Sequence, residues 1–209
     1  MAKPFSNRSI RTITEKDGFK LIETKGPDGS LEVKETIAPD GTRTYESYRE
    51  DGSLDGKLTE TPDGTRTSED YREDGSLDGK TTVTPDGTLT SEFYRADSSL
   101  RRKFTETWDG TKTSENYNDK GVKTSESITD KEGNITSKGY DDEGNLSFTM
   151  VHNKKKGTYV QYDENGKLKK LVIKEPNDTT KVRTGFRAKL SAMATGTSRR
   201  LPTKGRSDR

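Results

Sequence analysis

The chain has 209 residues, of which 24% are apolar and 35% are charged, yet its formal net charge is only +2. The apolar share is about half that of an ordinary globular domain, so we do not expect a conventional two-layer fold around a thick core. Disorder usually requires a large net charge as well as few apolar residues. The composition therefore leaves a thin ordered structure or a flexible chain.

The residue inventory argues against several kinds of site. Cysteine is absent, which excludes disulfides and thiolate metal sites, and His152 is the single histidine, which excludes a multi-histidine site. No Gly-rich phosphate loop precedes a helix, so nothing indicates a nucleotide cofactor. The N-terminus lacks the apolar region of a secretory signal, and no apolar run approaches membrane-spanning length. We therefore expect a cytoplasmic protein with no cofactor and no small-molecule substrate.

The body of the chain is a repeat with a period of 23 residues. Two interleaved sets of turn residues share this period, and nearly all are glycines that follow an acid or a lysine, as in the P-D-G-T sequences that begin at residues 39, 62 and 85. Ser98 fills the one gap in the second set. We predict structural turns at Gly41, Gly52, Gly64, Gly75, Gly87, Gly110, Gly121, Gly133 and Gly144.

Each of these sites predicts a β-turn. At residues 61–65, Pro62 pre-sets the first turn position, Asp63 tolerates the second, and Gly64 supplies the left-handed conformation of a type I turn with a G1 bulge. Three-residue loops leave strands of nine residues at 53–61 and eight at 65–72, both too short for helices and rich in Thr and Tyr. We predict an all-β fold, an extended single-layer antiparallel meander of about fifteen short strands between residues 8 and 175 with a flexible basic tail.

A series of tyrosines supports this register, because each stands six residues before an apolar residue, and the two positions face each other across a three-residue hairpin. We interpret the pairs as packing rather than ligand binding. Identical turns would put successive tyrosines on opposite faces, so either the series alternates or one bulge per repeat, near Gly56 or Gly79, restores a common face. The pairs are Tyr48 and Leu54, Tyr71 and Leu77, Tyr94 and Leu100, Tyr140 and Leu146, and Tyr162 and Leu168, whereas Tyr117 faces Lys123.

The 23-residue hairpin unit resembles the MORN (membrane occupation and recognition nexus) repeat over residues 18–166. The G-x-x-x-G-K sequence of residues 52–57 is similar to the opening of that repeat, Asp63 and Gly64 to its later turn, and Tyr71 to its aromatic position. Residues 157–168 resemble the variant repeats of bacterial proteins, whereas the Y-x-G-x-W signature is missing. The resemblance implies a single-layer sheet that serves as a scaffold or interaction surface, often in cytoskeletal, ciliary or membrane-associated assemblies.

Charge divides the chain further. Residues 181–209 contain nine basic residues and one acid. We therefore divide the chain into an N-terminal basic arm with the first strand (1–16), a repeat ribbon (17–175) and a basic tail rich in Ser, Thr and Gly (176–209). Such a tail attracts an acidic protein surface, nucleic acid or an anionic membrane. The candidate partner-binding residues are Arg183, Arg187, Lys189, Arg199, Arg200, Lys204 and Arg206.

The many carboxylates favour turns over chemistry. Asp occupies turn positions for backbone reasons, and no apolar lining accompanies it, so we predict that the protein is not an enzyme. The segment that starts at Asp70 fails as an EF-hand, because Arg72 stands at a ligand position and Thr81 at position twelve. Weak binding of cations by a row of acidic residues along one edge is the alternative.

These observations predict a non-catalytic scaffold: an elongated ribbon laid on a larger cytoskeletal, microtubule or ciliary assembly and anchored by its basic ends. The alternative is a small protein-interaction module, an antitoxin-like or effector variant of the repeat that binds one globular partner. We expect the scaffold to associate with a cytoskeletal or axonemal assembly in the cytoplasm.

Overall fold

A computed structural model describes residues 9–174 and 180–184. The described chain is all-β, and its sixteen strands form one sheet in which every strand pairs antiparallel with its sequence neighbours. The predicted single-layer meander is confirmed. The strands are β1 Ile10–Lys16, β2 Phe19–Lys25, β3 Leu31–Ile37, β4 Arg43–Tyr48, β5 Leu54–Glu60, β6 Arg66–Tyr71, β7 Leu77–Val83, β8 Leu89–Tyr94, β9 Leu100–Glu106, β10 Lys112–Tyr117, β11 Lys123–Thr129, β12 Ile135–Tyr140, β13 Leu146–Asn153, β14 Thr158–Asp163, β15 Leu168–Lys174 and β16 Thr180–Thr184.

The sheet has almost no interior, which accounts for the low apolar content. Ile22 is the one apolar side chain that is buried among the described residues, and no large side chain there is fully buried. Most strand residues are half-buried, because each is covered by its neighbours within the layer and not by a second layer. Stability must therefore come from contacts between successive strands, as in other repeat architectures.

The turns have the predicted geometry. Between β5 and β6, the Gly64 N–H donates to Thr61 O at 2.9 Å and the Thr61 N–H donates to Thr65 O at 3.0 Å. This is the pattern of a type I turn closed by a G1 bulge. Gly64 has φ +88°, and the nine predicted turn glycines all lie between +77° and +89°. Ser98 adopts the same left-handed region, at φ +66°, without the freedom of glycine.

One bulge per repeat keeps the tyrosines on a common face. In the β4–β5 pair, Ser47 lies opposite Gly56 but Tyr48 lies opposite Leu54, so Asp55 is the extra residue. The same shift places Asp78 as the extra residue between β6 and β7. Of the two arrangements left open by the sequence, the bulged one is therefore present, and the bulge falls one residue before the glycine that was expected to form it.

Two expectations about strand extent are wrong. The strands of the repeat have seven and six residues instead of nine and eight, because Thr61 and Thr65 close the turn outside the regular ladder. β16 lies within residues 176–209, where a flexible tail was expected, and it pairs with β15 so that Thr180 lies opposite Lys174. Its sequence alternates Thr180, Val182 and Thr184 with basic residues, a strand pattern that the basic composition obscured.

Candidate interaction surface

The register places the predicted tyrosines on one face of the ribbon, which we call the tyrosine face. On this face the hydroxyl of Tyr71 donates to Glu69 at 3.1 Å, and three other tyrosines repeat this bond. Burial raises the pKa of Tyr71, with the charge of Glu69 as the second cause. The directly opposed residues are Tyr48 and Leu54, Tyr71 and Leu77, Tyr94 and Leu100, Tyr140 and Leu146, Tyr162 and Leu168, and Tyr117 and Lys123.

A second row on the tyrosine face alternates Lys and Glu across eight strands. The alternation pairs opposite charges directly across each strand boundary, for example Lys34 with Glu46 at 2.9 Å and Lys103 with Glu92 at 3.2 Å. Exposed ion pairs contribute little stability, but they help to specify register because a slipped strand would separate the paired charges. The row runs through Lys34, Glu46, Lys57, Glu69, Lys80, Glu92, Lys103 and Glu115.

The alternation changes phase between β10 and β11. Glu115 lies opposite Glu126, and Glu126 then lies opposite Lys138. Lys123, in the place of the usual leucine, bonds Glu115 and also Glu126, the latter at 3.1 Å. The hydrogen bond from Lys138, assisted by Tyr140 and Lys123, lowers the pKa of Glu126 to about 2. The Tyr117–Lys123 exception therefore supplies the cation that two facing carboxylates require.

Three arginines join successive hairpins along one long side of the ribbon, where the turns at one end of the strands lie. We call this side the arginine edge. Nη1 of Arg72 donates to the Leu77 carbonyl at 2.9 Å within its own hairpin. The same atom donates to the carbonyl of Arg95 at 3.2 Å, and Nη2 donates to that of Tyr94 in the next hairpin. Arg49 and Arg95 make the same two kinds of bond. Asn118 stands at the next position, and its side chain accepts only from its own turn, so the described series ends there.

The opposite edge, which we call the proline edge, carries a stack of turn residues. A methyl group added to Gly41 would lie 3.6 Å from Cγ of Pro62, and one added to Gly64 would lie 4.0 Å from Cγ of Pro85. Trp108 takes the proline position in the following turn, and its Cβ lies 3.7 Å from where a methyl group added to Gly87 would lie. Trp108 is 79% exposed, the highest value among the described large hydrophobic residues.

The turn carboxylates serve their own turns. The N–H groups of Ser53 and Thr65 donate to the carboxylates of Asp51 and Asp63, at 2.8 and 2.9 Å. The hydroxyl of Ser53 lowers the pKa of Asp51, and the hydroxyl of Thr61 lowers that of Asp63. Within the described residues no three Asp, Glu or His side chains converge as a metal site would require. The same part of the chain contains no helix long and apolar enough to cross a membrane.

The other face, which we call the serine face, is different in kind. Its central row contains Ser68, Ser91, Ser114 and Ser137. Among these small residues stand apolar side chains that remain exposed. They are Ile13 (55%), Val33 (40%), Val83 (37%), Phe93 (39%), Met150 (37%) and Tyr159 (43%).

The serine face ends in an aromatic site that the sequence analysis missed. His152 of β13 lies opposite Tyr159 of β14, and the two rings stack with centroids 4.0 Å apart and planes at 2°. From the sequence, His152 served only to exclude a multi-histidine site. Its spacing from Tyr159 across the 154–157 turn is a pairing signal, but the turn has no D-G sequence to reveal it.

The basic charge also begins earlier than the sequence division placed it. Residues 151–209 carry 16 basic and 5 acidic residues, a net +11, whereas residues 9–150 carry 20 and 31, a net −11. The boundary thus falls inside the sheet, at β13. Of the predicted tail residues, Arg183 lies in β16 opposite Leu171. The other six lie outside the described residues: Arg187, Lys189, Arg199, Arg200, Lys204 and Arg206.

No protein-family model matches the chain, and no curated protein matches it. Among solved structures, the G-box domain of the microcephaly protein CPAP is 16% identical, with 84% of this chain and 99% of that chain covered and a TM-score of 0.33. The TCP10 domain of Danio rerio CPAP is 15% identical, with 87% and 98% covered and a TM-score of 0.32. The TCP10c domain of Drosophila melanogaster Sas-4 is 18% identical, with 68% and 99% covered and a TM-score of 0.20. TM-scores this low do not establish a common fold.

Proposed function

We propose that the protein is a non-catalytic scaffold, an elongated ribbon that lies along a larger assembly. The observation that carries this proposal is the single layer itself: each strand pairs only with its sequence neighbours. Fifteen strand spacings of about 4.8 Å make a ribbon about 70 Å long, with both faces open to partners. The MORN-like interpretation of the 23-residue unit is part of the proposal, and one hairpin per unit supports it.

A structural role also agrees with how the polar groups are used. Asp51 and Asp63 bond within their own turns, and Lys34 and Lys103 of the tyrosine face pair with Glu46 and Glu92. A general acid or base needs a free group in a cleft at hydrogen-bond distance from a substrate. The side chains described above are placed to hold the ribbon in register.

The partner we propose has an acidic surface, such as a filament or microtubule lattice in a cytoplasmic, cytoskeletal setting. The net +11 of residues 151–209 supports this choice, since it lies at one end of an otherwise acidic chain. An acidic lattice would attract this end and repel residues 9–150. The ribbon would then be anchored at its C-terminal end.

The test is co-sedimentation with purified filaments at several salt concentrations. The full chain is compared with a variant that lacks residues 185–209, which keeps β16, and with an Arg199→Gln, Arg200→Gln, Lys204→Gln variant. We expect the truncation to lower the bound fraction at least tenfold and the triple variant to lower it in part. Unchanged co-sedimentation after truncation would contradict anchoring by the tail.

The second candidate, a module for a single globular partner, is favoured by one observation. Exposed apolar side chains stand on the serine face, and such residues form the centres of protein interfaces. Light scattering of the protein with a captured partner separates the two. One discrete 1:1 complex supports the module, whereas a mass that grows with lattice length supports the scaffold.

A further inference from the structure

The C-terminal strands of the serine face combine an aromatic stack with a cluster of cations. Tyr159 is 43% exposed and Met150 is 37% exposed, although both lie in the interior of their strands. Next to the His152–Tyr159 stack, the 154–157 turn carries Lys154, Lys155 and Lys156, all of them exposed. This part of the sheet therefore presents a stacked aromatic pair beside three exposed cations.

A shallow cleft lies beside the stacked rings. It has a volume of about 200 Å³ and is lined by Met150, Tyr159, Val160, Gln161, Lys170 and Val172. Pockets that enclose drug-sized molecules are larger, about 300–1,000 Å³. The cleft is therefore sized for one planar ring laid against Tyr159 and not for a whole small molecule.

We propose that this site, which we call the C-terminal aromatic site, binds single-stranded nucleic acid. Exposed aromatic rings on a sheet surface stack on unpaired bases, and lysines beside them neutralise the phosphates. In this proposal Tyr159 is the stacking platform and Gln161 offers both a donor and an acceptor to a base edge. Lys170 neutralises the sugar–phosphate backbone of the bound nucleic acid. The three lysines of the 154–157 turn bind the next phosphate of the nucleic acid.

The charge of the whole ribbon limits this contact to one end. Residues 9–150 carry a net −11, so a phosphate backbone is repelled from most of the sheet. Phe93 provides the comparison: it is 39% exposed on the same face and lies opposite Arg102, but it belongs to the part of the chain with a net charge of −11. The site needs an unpaired base, since the bases of a duplex present no free ring face.

The experiment measures binding of fluorescently labelled 12-nucleotide oligo(U) and oligo(dT) to the full chain by anisotropy, at several salt concentrations. Tyr159→Ala is expected to weaken binding about tenfold or more, the range for loss of one base–aromatic stack, whereas Tyr159→Phe stays within about twofold. Phe93→Ala is the matched control and leaves affinity unchanged. Changing Lys154, Lys155 and Lys156 to Gln lowers the salt slope, by about 0.7 for each phosphate that a lysine no longer neutralises.

Four results would overturn the proposal. The first three are no binding at low salt, binding that Tyr159→Ala leaves unchanged, and equal affinity for a duplex of the same length. The fourth is displacement of the oligonucleotide by poly-glutamate, with poly-glutamate binding that Tyr159→Ala weakens. The second result would assign the binding to non-specific attraction by the tail, and the fourth would assign the site to an acidic protein. Circular dichroism of each variant checks that the sheet is intact. These outcomes are independent of whether the full chain binds filaments.

Discussion

The ribbon consists of two unlike parts. In β3–β10, the regular segment, side-chain contacts that span 22 or 23 residues join one hairpin to the next, as Arg72 does. In β11–β15, the C-terminal segment, the arginine positions are taken by Asn118, in the turn before β11, and Asp141, which cap only their own turns. A bond between turns is present there on the proline edge, where the Lys154 N–H donates to the Asn134 side chain at 3.1 Å. The regular segment presents a self-neutralised tyrosine face, while the C-terminal segment presents aromatic and basic groups.

The difference shows that one hairpin repeat can carry two kinds of surface. The stack on the proline edge reaches Trp108, the arginine series ends at its bond with Tyr117, and the Lys–Glu alternation changes phase at Lys123. All three changes occur around β10 and β11. After this junction the sequence no longer follows the repeat pattern, and the net charge of the chain changes from negative to positive at β13.

The largest expected effect comes from the arginine edge. Arg72→Ala removes the side-chain donor that joins the carbonyls of Tyr94 and Arg95 to the preceding hairpin, although the Arg95 carbonyl keeps its bond from the Ser98 N–H, and should lower the free energy of unfolding by about 2 kcal/mol. Arg101→Ala is the control, because Arg101 is exposed, and it should cost less than about 0.5 kcal/mol. Urea unfolding gives both values. Equal effects would mean that the arginines do not couple the hairpins.

A gain of about 1 kcal/mol is expected where the regular segment breaks its own turn pattern. Ser98 holds φ +66°, a left-handed conformation that costs a residue with a Cβ about 1 kcal/mol or more. Ser98→Gly should therefore stabilise the protein by about this amount in thermal unfolding. Ser76→Gly, beside the equivalent turn, is the control and should not stabilise. A loss of stability in Ser98→Gly would disprove the strain.

The junction provides the next test. Lys123→Leu restores the Tyr–Leu pair of the regular repeats but leaves Glu115 facing Glu126 without the cation between them. We expect a net loss of up to about 1 kcal/mol at neutral pH, because like charges directly opposite destabilise a sheet. Lys123→Leu combined with Glu126→Gln should recover this loss. If Lys123→Leu alone stabilises the protein, packing outweighs charge at the junction.

Acid should have a smaller effect on the same pair of strands. Glu126 has a folded pKa of about 2 against an ordinary 4.5, so the folded state favours its ionised form. Its contribution is present above pH 4.5 and is lost as the pH falls from there toward about 2. Because the pair faces solvent, we expect at most about 1 kcal/mol. Glu126→Gln should flatten this part of the pH–stability curve, and an unchanged curve would contradict the assignment.

The sequence predicted the sheet because each turn of the repeat is specified by residues that are adjacent in the sequence. Pro62, Asp63 and Gly64 specify a turn without reference to the rest of the chain, and the 23-residue period then specifies the meander. The bulge at Asp55 could not be placed, since it depends on the register between two strands. The C-terminal aromatic site was missed for the same reason: His152 and Tyr159 meet only across a hairpin that lacks the usual turn sequence.

The central claim is that the protein is an extended single layer in which length follows repeat number. Small-angle X-ray scattering of the full chain and of a variant without residues 65–87, one unit of 23 residues, tests it directly. The ribbon predicts a radius of gyration above about 20 Å and a maximum dimension that shortens by about 10 Å, two strand spacings, at constant cross-section. A compact particle with a radius of gyration near the ~17 Å expected of a globule of this length would contradict the account.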